Sequence, residues 1–124
     1  MTRTRREIED RPAPMTGTAL LPRTAGFDAA IERGPTGEVR LVVRGRVETE
    51  AGNVLPCLAR HASQSSDPTI LVLTIELHRT AAEVAPLKRF RRTRHVLTRR
   101  ASRIRSVAIM WGGEVVELFP VERH

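Results

Sequence analysis

Cysteine occurs once, at Cys57, which excludes an intramolecular disulfide and a thiolate zinc cluster, and with them the disulfide-stapled mini-domains and the zinc fingers. Tyrosine is absent, and three Phe and one Trp leave few flat faces for unpaired bases to stack on, which speaks against a single-strand nucleic-acid platform. No apolar run approaches the roughly 18 to 20 residues that span a bilayer, and Met1 to Arg11 is polar and mixed in charge, unlike a secretory leader. A cytoplasmic protein without membrane association is expected. Aspartate is confined to Asp10, Asp28 and Asp67, and the histidines, His61, His78, His95 and His124, are far apart. No carboxylate pair, nucleophile elbow, glycine-rich phosphate loop or histidine metal spacing appears, so no enzyme, cofactor or metal is expected. Cys57 and His61, four apart on an expected helix, form a two-ligand metal pair only in principle; a small buried thiol and a partly exposed ring are the simpler reading.

What is present is a chain of 124 residues, 40% hydrophobic, enough for one packed domain and too apolar for wholesale disorder. The net charge of +7 is concentrated: nine Lys or Arg and no acid lie between Lys88 and Arg105, leaving 12 basic against 14 acidic residues elsewhere. Of the 21 basic residues 20 are Arg, a skew that GC-rich coding would produce unaided. Position in the chain, rather than the choice of arginine, therefore carries the information.

Met1 to Gly26 holds Pro12, Pro14 and Pro22 without sustained periodicity and reads as a flexible arm ahead of one domain, 27–124. Phe27, Ala29 and Ile31, then Gly34-Pro35-Thr36-Gly37, then Val39, Leu41 and Val43 read as a β-hairpin. Val54, Leu55, Leu58 and Ala62 fall on one helical face, with Asn53 as N-cap and Pro56 in the first turn. Thr69 to Leu77, nearly all apolar and rich in β-branched residues, reads as a strand buried on both faces. After a linker, Leu87, Phe90, Leu97, Ala101 and Ile104 make a stripe at helical spacing. Arg105 to Trp111 then reads as a strand, Gly112-Gly113 as a hairpin loop, and Val115 to Phe119 as a last strand or a short helical turn. The expected architecture is α/β: a small mixed sheet in the order β-β-α-β-α-β with a right-handed crossover.

That order resembles the STAS domain of anti-sigma factor antagonists. Val42-Val43-Arg44-Gly45-Arg46-Val47-Glu48 stands where those domains carry a Gly-Glu-Leu-Asp-like signature, and Ile70-Leu71-Val72-Leu73-Thr74 stands for their Val-Leu-Asp-Leu-Ser strand. The resemblance covers about Phe27 to Ile109. Their phosphorylated Asp-Ser-Ser-Gly loop corresponds to His78-Arg79-Thr80-Ala81-Ala82-Glu83-Val84, with Ala81 or Ala82 in place of the acceptor serine. Alanine offers no oxygen, so the resemblance implies a module without the customary phosphorylation switch, with Thr80 as substitute acceptor or, more simply, an N-cap or turn residue.

Two functional expectations follow. The resemblance implies a non-catalytic bacterial regulator that docks on a protein partner, an anti-sigma factor or a similar regulator, through Arg79, Thr80, Ala81, Ala82 and Glu83 and the second helix. The charge pattern alone suggests a basic ridge on that helix, Lys88, Arg89, Arg91, Arg92, Arg99, Arg100 and Arg103, either merely solvated or binding nucleic acid, as the order of Alba-like folds also suggests. Repulsion at i, i+3 and i+4 with no Glu to relieve it favours an anionic ligand over simple solvation.

Overall fold

The computed structural model describes residues 22–80 and 86–123. Apolar side chains alternate with polar ones through most of this length, a period of two that puts one set inward and the other outward on extended backbone. Seven strands result: β1 Thr24–Arg33, β2 Val39–Ala51, β3 Val54–Arg60, β4 Ile70–Arg79, β5 Pro86–Leu97, β6 Ser106–Trp111 and β7 Glu114–Glu122. A 3-10 turn, Ala101–Arg103, interrupts them between β5 and β6. No helix long and apolar enough to cross a membrane occurs among the described residues.

The strands form one sheet in the order β3-β4-β6-β7-β1-β2-β5. Neighbours are antiparallel except β4 with β6 and β1 with β7, which run parallel. The sheet curls until its two margins, β3 and β5, face one another, giving a nearly closed barrel. No ladder joins those margins among the described residues; they are tied instead by side chains. His95 Nδ1 donates to the Leu58 carbonyl at 3.3 Å, and Arg91 Nη1 donates to the Gly52 carbonyl at 3.0 Å.

Inside lie Leu41, Val43 and Val47 from β2, Leu71, Leu73 and Ile75 from β4, and Val107, Ile109 and Trp111 from β6. Ala101 and Ile104 plug one end of the barrel. The Phe27 and Phe119 rings stack with centroids 6.2 Å apart. A Cβ on Gly45 would fall 2.2 Å from the Phe27 ring, so only glycine lets β2 pass that ring.

The α/β architecture with a STAS-like crossover is overturned, because both expected helices are strands. The first, over Val54 to Ala62, is β3: Val54 and Leu58 are buried, while Leu55 and Cys57 are exposed. Pro56 is tolerated because β3 is a margin of the sheet, where a missing N–H breaks no ladder on the open side. The second, over Leu87 to Ile104, divides into β5 and the 3-10 turn. Its apparent stripe is no single face, since Leu87 and Phe90 are exposed whereas Ala101 and Ile104 are buried. β5 instead pairs with thirteen-residue β2 along nearly its whole length, and that ladder decides its conformation. There is accordingly no basic helix.

The leading hairpin forms, with β1 antiparallel to β2 across Gly34–Gly37. The expected central strand is β4, walled by inward Leu71, Leu73 and Ile75, but its outer side chains Thr74 and Glu76 are only half-buried. Gly112 and Gly113, both at positive φ, turn β6 into β7, so residues 115–119 are strand. Of the expected arm, residues 1–21 lie outside the described set, and Thr24 to Gly26 belong to β1.

Candidate functional site

Consecutive residues of a strand face opposite sides, so the arginine run of β5 is sorted by parity. Arg92 and Arg94 point outward and are exposed, as does Lys88. Thr93, between them, is buried, and Arg91 is half-buried and spent on the Gly52 carbonyl. Residues opposite one another in an antiparallel pair share a face, and the β2–β5 register sets Arg44 against Arg94 and Arg46 against Arg92. The outer wall therefore carries a block of guanidinium groups two strands wide, about 5 Å apart across the pair and about 6.8 Å along each strand at the Cβ level.

Like charges directly opposite destabilise a sheet. Among the described residues one member of the block is ion-paired: Arg44 Nη1 donates to Glu32 Oε2 at 2.9 Å, Asp28 lies opposite Arg44 on β1, and Arg94 also feels the Glu32 charge. That hydrogen bond holds the Glu32 carboxyl below its ordinary value and raises the Arg44 guanidinium above its own. Arg46, Arg92 and Arg94 make no ion pair or side-chain hydrogen bond among the described residues. The four arginines, with Gly26, Gly45 and Thr93 beneath them, line a shallow groove of about 450 Å³. Two residues further along, exposed Phe90 is covered by the Arg23 guanidinium, 5.7 Å from its ring centroid.

The rest of the expected ridge lies elsewhere. Arg99 and Arg100 follow β5, and Arg103 ends the 3-10 turn; with Arg60 of β3 they line a separate cavity at the plugged end of the barrel. Arg89 is exposed opposite Thr49. Arg44, Arg46, Arg60 and Arg94 line these two concavities and were missed by the reading along the chain. The alternation of Arg44 and Arg46 with Val43, Gly45 and Val47 was the available signal, because it marks both as outward on one strand.

The expected docking loop is only partly visible. Arg79 ends β4, and Thr80 is exposed with its N–H on the Asn53 carbonyl at 2.8 Å. Ala81, Ala82 and Glu83 lie outside the described residues. Cys57 and His61 are separated by extended chain, about 13 Å over four residues, which dissolves the two-ligand pair. His61 Nδ1 lies instead 2.7 Å from Thr74 Oγ1. No cluster of metal-ligating side chains occurs among the described residues. Comparison of the chain with protein-family models, with curated proteins and with solved structures gives no match.

Proposed function

We propose that the protein is a non-catalytic binding module whose outer β2–β5 wall grips the sugar-phosphate backbone of nucleic acid. One observation carries this reading: Arg44 opposite Arg94 and Arg46 opposite Arg92, four outward cations offset by Glu32 and Asp28 on the Arg44 side alone. A sheet that retains two adjacent like-charge pairs is more stable with polyanion bound than without, since phosphates supply the missing counter-charge. The regular spacing and the glycine floor suit a continuous charged strand better than the irregular face of an acidic protein. Planar guanidinium forks match phosphate oxygens. Recognition on this reading is mainly of the backbone and tolerant of sequence.

The test is fluorescence anisotropy with 20-base-pair DNA and RNA duplexes over a range of salt. Four phosphate contacts give a log–log salt slope of roughly −3.6. R92A/R94A should weaken binding about tenfold or more near 0.1 M salt and reduce that slope by about 2. Wild-type affinity in the double variant, or a salt-independent Kd, would sink the reading and return a protein partner to the front.

A further inference from the structure

The cavity at the plugged end of the barrel is separate from the outer wall and differs from it in kind. It holds about 500 Å³, within the roughly 300 to 1,000 Å³ of small-molecule sites, and it is concave with an apolar floor of Leu71, Leu97 and Ile104. Arg60, Arg99, Arg100 and Arg103 stand at its rim, and none of them has an ion pair or a side-chain hydrogen bond among the described residues. The only carboxylate in the lining, Asp67, is occupied: its Oδ1 accepts from the Thr69 N–H at 2.9 Å and from Thr69 Oγ1 at 2.7 Å.

Both rims are fixed in place without a ligand. On one side the Gln64 amide is clamped to β4, its Nε2 donating to the Val72 carbonyl at 2.9 Å and its Oε1 accepting from the Val72 N–H at 3.0 Å. On the other, Arg123 donates to the carbonyls of Ser102 and Ile104 and pins the 3-10 turn from outside. The turn begins with Arg100 at φ 58°, the only non-glycine residue at positive φ among those described. A long β-carbon-bearing side chain in the left-handed region is strained, and such strain gathers at ligand-holding positions.

We propose that this cavity binds a small organic phosphate, its phosphate held by Arg99, Arg100 and Arg103 and its apolar body lying on Leu71, Leu97 and Ile104. Four cations against one committed carboxylate leave an excess that a doubly charged group neutralises better than a single carboxylate does. The apolar floor gives bare phosphate nothing to cover, and so argues for an organic body.

The probe is 1-naphthyl phosphate, titrated into the full chain by calorimetry and by phosphorus NMR, beside 1-naphthol and inorganic phosphate. Binding at least about tenfold tighter than either fragment is expected, falling about tenfold or more in R99A/R103A, which removes two charge-assisted contacts. R100G should weaken binding while melting no lower than wild type, because glycine relieves the backbone strain, so loss of binding there cannot be loss of fold. R92A/R94A, which strips equal charge from the outer wall, should bind the probe as wild type does. No binding, equal affinity for 1-naphthol or for inorganic phosphate, or equal loss in the two double variants would each overturn the proposal. Failure of the duplex titration bears on the outer wall alone.

Discussion

At the scale of single residues, space and protonation decide. Gly45 is set by the Phe27 ring, and Gly45→Ala drives a methyl into a stacked aromatic pair; destabilisation of about 1–3 kcal/mol is expected, readable as a drop of roughly 5–15 °C in Tm. Asp67 illustrates protonation. Hydrogen bonds from the Thr69 side chain and backbone hold its carboxyl below the ordinary value of 3.8. The folded chain is then the more acidic, so the Asp67 contribution is complete above that ordinary value and is lost as pH falls through the lower folded value. Melting of Asp67→Ala against wild type should show a constant gap from about pH 5 to 7 that closes as pH drops below 3.8. An unchanged gap in acid would mean that the side chain acts by some route other than its charge.

At the scale of elements, pairing overrides local pattern. The β1–β2 hairpin was legible in residues 27–43 because alternation and a Gly-Pro-Thr-Gly turn agree, and β6–β7 was legible from Gly112-Gly113. β3 and β5 were not. Val54, Leu58 and Ala62 fit a helical face as well as a strand face, and Leu87, Phe90 and Leu97 match helical spacing by coincidence, their partner β2 lying some fifty residues back in sequence. The site suffered likewise. That cations gather in the 88–105 run was readable from the composition, but a search along the chain cannot see Arg44 beside Arg94. It also merges Arg92 with Arg99, which line different concavities. The pairing makes a prediction of its own: Arg94→Glu turns a repulsive cross-strand pair with Arg44 into an attractive one. Its Tm should rise in low salt while duplex affinity falls, an opposition that calorimetric melting and anisotropy on one sample would reveal.

At the scale of the whole molecule, the barrel is a single sheet whose margins β3 and β5 meet without a ladder. Amides on those facing margins should exchange with deuterium sooner than amides of the buried β4–β6 junction, a contrast that exchange mass spectrometry or NMR resolves. Uniform protection around the barrel would contradict the described seam. Unpaired edges are what strands of other molecules add to, and here each edge faces its counterpart and carries a proline, Pro56 within β3 and Pro86 at the start of β5. The seam thus acts as a built-in guard against fibre growth and strand exchange. His95→Ala, which removes one of its side-chain ties, should raise self-association, read by sedimentation as concentration rises.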